Sequence, residues 1–291
     1  MKEIAVDVVE IIGTMAAKAL IYEVLATPKP GLVDRNNAGA HRDMDLHTFL
    51  RSAKAIKPGF CEMAKIGYRW RENPAMIFSN LKQAGIFAEK AMFSATNGVN
   101  THKGAIFSVG LVSAAAGYYH RHNGKFDDEA ILSLCGDIAN RPIADEFAQI
   151  SSRAPQTNGE RIYRQYGIQG IRGEAANGFR SVRTVSLPEF RRLRKRQVDL
   201  NIALVQTLLH LMARVDDTNV VARRGPEALR YVQCQAQDSL NLGGMFTVRG
   251  REKIIAMDFD FIAKNISPGG CADLLAVTIL LDLLGRSRCF C

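Results

Sequence analysis

Five short polar segments gather the residue types that handle phosphate, divalent metal and protons. The first is Thr27-Pro28-Lys29-Pro30-Gly31-Leu32-Val33-Asp34-Arg35-Asn36-Asn37, followed by His41-Arg42-Asp43-Met44-Asp45. Two prolines stiffen it and Gly31 permits close backbone approach. Lys29 and Arg35 suit phosphate, and Asp34, Asp43 and Asp45 are the oxygen ligands that Mg²⁺ takes. In the second, Asn100-Thr101-His102-Lys103-Gly104, Lys103 and free amides at a helix start form an anion site, and His102 is an acid or base. The third holds Arg172, a bidentate fork for phosphate, and Glu174, a metal ligand or base. The fourth, Asp216-Asp217-Thr218-Asn219 with Arg223-Arg224-Gly225, sets two carboxylates and Asn219 suited to Mg²⁺ after a long helix, where acids are otherwise unfavourable. In the fifth, Ser267-Pro268-Gly269-Gly270-Cys271-Ala272-Asp273, the Gly269-Gly270 turn presents amides to phosphate and Asp273 sits in the first helical turn, facing the dipole or a metal. Taken singly, each segment also reads as a helix cap: Asp43 and Thr101 are plain N-cap types.

The elements that must position these segments read as helices. Apolar residues recur every three or four positions over residues 4–26, 45–57, 59–71, 75–95, 101–120, 127–140, 187–215, 226–241, 251–264 and 271–285. Residues 152–185 read as a loop-rich stretch, and Pro142 and Pro155 as breaks. No long apolar–polar alternation marks a sheet. The expectation is an all-α protein of about ten helices in a single domain, since no Gly, Ser or Pro linker divides the 291 residues. With 47% hydrophobic residues the chain is neither disordered nor fibrous. Residues 104–119 are too short and too small-residue-rich to cross a membrane, and the acidic amino-terminal stretch is no signal peptide. Cysteines at 61, 135, 234, 271, 289 and 291 form no C-x-x-C pair, which suits a reduced cytoplasmic protein.

A net charge of +9 favours anionic partners without choosing among them. The chain lacks a P-loop, a dinucleotide fingerprint, H-E-x-x-H, G-x-S-x-G and zinc spacing. Residues 189–196 hold five bases in eight residues, yet without interleaved aromatics they read as the solvated face of a helix rather than a nucleic-acid site. His210 and Met212 lie in an apolar helical run and read as core.

In this order, TPKPGLVDRNNAGAHRDMD, NTHKGAIF, GIRGEAANGF, DDTN with RRG, and SPGGCADLLA resemble the triphosphoribosyl-dephospho-CoA synthase family, over residues 27 to 276. Pro226 stands where the family pattern leads one to expect a second glycine, and residues 286–291 match no part of it. The resemblance implies a pentosyltransferase. It would join ATP, as substrate, to 3′-dephospho-CoA, release adenine, and make 2′-(5″-triphosphoribosyl)-3′-dephospho-CoA for the citrate lyase prosthetic group. The product would pass to the transferase that loads the apo acyl carrier protein of citrate lyase. A sister branch serves malonate decarboxylase.

The implied reaction takes place at the ribose anomeric carbon, so no Walker motif is needed. Its transition state is oxocarbenium-like, and a β-linked substrate giving an α-linked product implies one inverting displacement. Such an enzyme must neutralise the triphosphate, with Mg²⁺ and with Lys or Arg, deprotonate the 2′-hydroxyl, assist adenine and exclude water. The expected phosphate contacts are Lys29, Arg35, Lys103, Arg172, Arg224, Gly269 and Gly270, and the expected metal ligands Asp34, Asp216, Asp217 and Asp273. Glu174 is the first choice of base, then Asp43 and His102. A Mg²⁺-dependent nucleotide or ADP-ribose glycosidase would draw on the same residue types with water as acceptor.

Overall fold

A computed structural model describes residues 2–150 and 153–287, and side chains from residue 8 onward within them. The described residues form twelve α-helices and no strand. They are α1 (Lys2–Leu25), α2 (Leu46–Arg69), α3 (Phe78–Ala95), α4 (Lys103–Asn123), α5 (Asp128–Ile150), α6 (Asn158–Tyr166), α7 (Gly170–Ala176), α8 (Leu187–Lys195), α9 (Leu200–Met212), α10 (Thr218–Asn241), α11 (Val248–Ala263) and α12 (Gly269–Arg286). Ile4 of the α1 stripe, Cys289 and Cys291 lie outside the described side chains. No helix among the described residues is long and apolar enough to cross a membrane.

Two helices run through the interior. Every residue from Val109 to Gly117 of α4 is buried, and so is every residue from Leu274 to Asp282 of α12. A helix apolar on all sides needs neighbours all round, and α1, α2, α5 and α9 supply them. Small residues set how close α2 and α4 lie. A methyl group on Gly67 would fall 1.9 Å from the Ala114 carbonyl, and one on Gly117 would fall 2.2 Å from that of Ala64. This contact brings the start of α2 alongside the start of α4, where two of the polar segments lie. Val24, Val33 and Met44 form a small second cluster that seats the 26–45 loop against Phe49 of α2.

Helix boundaries differ from the sequence reading at prolines and at one polar junction. Pro58 lies inside α2, which joins 45–57 to 59–71, and Pro142 lies inside α5. Each costs about 3 kcal/mol of helix stability. Buried residues on both sides (Ile56 and Phe60; Ile138, Ala139, Ile143 and Phe147) outweigh that cost. The 187–215 stretch is two helices. Gln197 turns left-handed (φ 56°), Val198 N–H closes the turn on Leu193 O, and the Asp199 carboxylate caps α9 by accepting from Ile202 N–H at 3.1 Å. The stretch read as loop holds α6, α7 and a π-helical turn at Val182–Ser186. Helix α10 begins at Thr218 and breaks at Gly225 (φ 79°, ψ 178°) just before Pro226.

Candidate active site

A cavity of about 350 Å³ opens where α1, α2, α4, α10 and α12 meet, within the size range of small-molecule sites. Four helix amino termini converge on it. Asp43, Met44 and Phe49 come from the start of α2, Asn100 to Ala105 from that of α4, Asn219 and Arg223 from α10, and Gly269, Ala272 and Asp273 from α12. Helix amino termini favour anions, although the Asp45 and Asp217 carboxylates already cap first-turn amides of α2, α10 and α12. Leu20, Leu32, Val33, Phe49 and Ala276 make an apolar flank.

The 26–45 loop is built by carboxylates. Asp34 accepts the amides of Lys29 (2.9 Å), Asn36 (2.7 Å) and Asn37 (3.2 Å), an Asx-type turn. Asp258 of α11 accepts from Gly31 N–H at 2.9 Å and from the Asn37 amide at 2.8 Å. Asp34 is thus spent on backbone and does not line the cavity. Lys29 does line it, but is only 1% exposed and ion-paired with Glu23, itself 4% exposed. Burial raises the Glu23 pKa, against the opposing pull of Lys29.

His41 and Ser267 close one side, with His41 Nε2 3.0 Å from Ser267 Oγ. Arg223 reaches the same corner, donating to Asn265 Oδ1 at 2.8 Å and to Ala40 O at 3.2 Å. Burial and the adjacent Arg223 push His41 down to about 4, so it stays neutral. Asp43, exposed, lies 4.0 Å from His41. It does not cap α2: Asp45 does, accepting from Thr48 N–H at 2.8 Å.

Asp217 and Asp273 separate into two roles. Asp217 Oδ1 accepts from Asn219 and Val220 N–H (2.8 and 3.4 Å), and Oδ2 from Cys271 N–H at 2.9 Å. One buried carboxylate therefore holds the starts of α10 and α12 together, and a methyl group on Gly270 would press on it at 3.1 Å. Asp273 makes no hydrogen bond or ion pair with the described residues. Its carboxylate lies over Gly104, where a methyl group would fall 2.0 Å from Oδ2. Burial raises its pKa well above the usual carboxylate range, helped by the charges of Asp217 and Glu23. His102, 3% exposed, offers Nδ1 to Ser52 Oγ at 2.7 Å, and its Nε2 has no partner.

Of the expected site residues, the cavity gathers Lys29, Asp43, His102, Lys103, Gly269 and Asp273, with Asp217 and Gly270 directly behind it. It does not gather Glu174, Arg172, Arg35, Arg224, Asp216 or Asp34. Glu174 is bound to Ser181, accepting from its N–H at 2.9 Å and its hydroxyl at 2.5 Å. Arg172 pairs with Glu146, and Arg35 braces Leu25 O and Asn201 Oδ1. Arg224 turns out to Lys264 O, and Asp216 is exposed beside Gln233. Lys103 is 55% exposed and pairs with Glu89 at 3.1 Å. Among the described residues no three His, Cys, Asp or Glu side chains converge to hold a metal ion.

Sequence reasoning gave no role to Glu23, His41, Asn100, Arg223 or Ser267. For Glu23 a signal existed, since an acid near a helix carboxyl terminus opposes the dipole. For Arg223 against Arg224 none did, because adjacent helical residues differ only in the direction they face.

Fold and cavity together describe an all-α protein that concentrates helix amino termini around one unpaired carboxylate. The chain belongs to the ATP:dephospho-CoA triphosphoribosyl transferase (CitG) family, whose model matches residues 9–290. A relative from Escherichia fergusonii, "2-(5''-triphosphoribosyl)-3'-dephosphocoenzyme-A synthase", is 42% identical over 96% of this chain and 92% of its own. A Vibrio cholerae relative, "Probable 2-(5''-triphosphoribosyl)-3'-dephosphocoenzyme-A synthase", is 44% identical over 93% of this chain and 87% of its own.

Proposed function

We propose that this protein is a cytoplasmic, single-domain transferase that moves the 5-triphosphoribosyl group of ATP onto the 2′-hydroxyl of 3′-dephospho-CoA and releases adenine. The product, 2′-(5″-triphosphoribosyl)-3′-dephospho-CoA, would go to the transferase that loads the citrate lyase acyl carrier protein. Family membership supports the reaction. The single observation that supports this cavity as its seat is the unpaired Asp273 carboxylate within a wall of helix amino termini.

The triphosphate lies against the starts of α4, α10 and α12, with Lys103 and Arg223 at hand. Magnesium fits as an ion brought in on the triphosphate, because Mg²⁺ keeps its waters and needs only one or two carboxylates beside substrate phosphates. Bound there it would offset phosphate charge. Asp273 takes the proton of the 2′-hydroxyl. The oxygen bonds to the anomeric carbon from the face opposite adenine as the carbon–nitrogen bond breaks and its electron pair enters the purine. In its ionised form, which this role requires, a carboxylate with a raised pKa is the stronger base, and Asp273 replaces Glu174 in this role. The apolar flank keeps water from the same carbon.

The test incubates purified protein with ATP, Mg²⁺ and 3′-dephospho-CoA and follows adenine and product mass by chromatography. Adenine that appears only with dephospho-CoA, together with the triphosphoribosyl adduct, is the expected result. Adenine without the adduct means that water is the acceptor and overturns the transferase reading.

A further inference from the structure

Three side chains at the junction of α2 and α4 form one hydrogen-bond chain. Thr101 Oγ1–H donates to Ser52 Oγ at 2.7 Å, and Ser52 Oγ lies 2.7 Å from His102 Nδ1. A serine hydroxyl owns one proton. Among the described residues Ser52 Oγ has only these two partners, and it accepts from Thr101, so its own proton finds an acceptor only in Nδ1, which favours a bare Nδ1. The ring proton then sits on Nε2. Ser52 does not line the cavity and His102 does, so the ring turns Nδ1 back to α2 and its other edge, with the buried Nε2, towards the cavity side. Phe49 holds the ring edge-on at 4.8 Å, and the His102 amide is tied to Met92 Sδ at 3.2 Å. A buried N–H without a partner is costly, and one on the wall of a cavity is accounted for by a ligand that accepts from it.

We propose that His102 is a catalytic residue fixed as the Nε2–H tautomer, whose N–H donates a hydrogen bond to a ring nitrogen of the departing adenine. Thr101 and Ser52 are positioning residues that set the tautomer. This rests on the transfer reaction proposed above. As the anomeric carbon–nitrogen bond breaks, its electron pair enters the purine, and the hydrogen bond strengthens as that charge grows. The proton stays on the imidazole; the freed purine takes one from water, and Asp273 returns the 2′-hydroxyl proton to water. Burial and the nearby Lys29 push His102 down to about 3, which keeps the ring neutral and Nδ1 free to accept. A neutral imidazole is an effective electrophile in this sense, as it is for carbonyl oxygens in other enzymes.

The tautomer is read directly in ¹⁵N-labelled full-length protein by long-range ¹H–¹⁵N correlation, the His102 signals being those lost in His102→Gln. A protonated-type Nε2 with a bare Nδ1 is expected; a protonated Nδ1 or an imidazolium overturns the proposal. Ser52→Ala should convert the signal to a mixture of tautomers, and Ser52→Thr should restore it. In turnover, His102→Leu should lower kcat about a hundredfold or more with little change in KM for ATP. His102→Gln places an amide N–H where Nε2–H stood and should recover at least about tenfold of that loss, whereas His102→Asn, which mimics Nδ1, should not. Equal losses in all three, or rescue by Asn alone, overturns the assignment. The spectroscopic result does not depend on which reaction occurs, so a failed adenine assay removes the transferase reading separately.

Discussion

Asp273 and Glu174 show how two carboxylates of similar sequence setting part company. Glu174 accepts two hydrogen bonds from Ser181 and ties the turn after α7. Glu174→Ala should leave kcat near the wild-type value and lower stability by about 1–3 kcal/mol in urea unfolding. A hundredfold fall in turnover of folded protein would return it to the role of base. Asp273 has the opposite pattern, with no partner and a pKa raised by burial and by Asp217 and Glu23. Asp273→Asn should cut turnover at least about a hundredfold. Its effect on stability has a sign set by linkage. The folded pKa lies above the unfolded one, near 3.8, so the folded state holds more protons over that interval and wild-type stability falls as pH rises through it. The variant does not titrate. Its advantage in Tm over ligand-free wild type should therefore be smallest near pH 4 and grow towards neutral pH; a constant or shrinking gap would show that Asp273 ionises without cost. Sequence could not separate these two acids, because only folding turns Ser181 onto Glu174 and lays Asp273 over Gly104 without a partner.

Helices were legible wherever the apolar spacing was strong, and the five polar segments fell at or near their ends because helix ends are where backbone amides go unpaired. What escaped was decided by burial across elements. Pro58 and Pro142 read as stops, yet the core residues on either side of each carry the helix through. The α8–α9 junction contains no Gly or Pro, so only Asp199 signalled it. The site's second layer was hidden in the same way: Ser52 lies in the middle of an ordinary amphipathic stretch of α2, and only the α2–α4 contact brings it to His102. Glu23 near the end of α1 and Lys29 beyond Pro28 form a pair between a helix and its following loop, with side chains 5% and 2% exposed. Lys29→Met would leave Glu23 buried without its partner. It should cost about 3–5 kcal/mol, and Lys29→Met with Glu23→Gln should recover most of that in denaturant melts. If the double variant is no better than the single one, the stability resides in the Lys29 stem rather than in the charge pair.

At the scale of the molecule, the +9 charge and the cavity must act together, because both proposed substrates are polyanions. Much of the positive charge is already engaged. Arg153 pairs with Glu160 at 2.9 Å, and within the basic run at 189–196 Arg191 pairs with Asp128 and Arg192 with Glu189, each at 2.7 Å, so part of that run is a structural face. The part of the field that reaches a substrate is the net excess together with the helix amino termini, Lys103 and Arg223 at the cavity. The first of these acts at a distance and the second on contact. Salt distinguishes them, since the Debye length falls from about 30 Å at 0.01 M to about 10 Å at 0.1 M, while contacts inside a partly closed cavity are screened much less. Across that interval kcat/KM for ATP should fall about tenfold, with kcat at saturating ATP changing less than about twofold. Parallel losses in both would mean that salt disrupts the bound state itself. An unchanged kcat/KM would mean that the surface excess has no part in capturing the triphosphate and that the cavity wall alone accounts for its affinity.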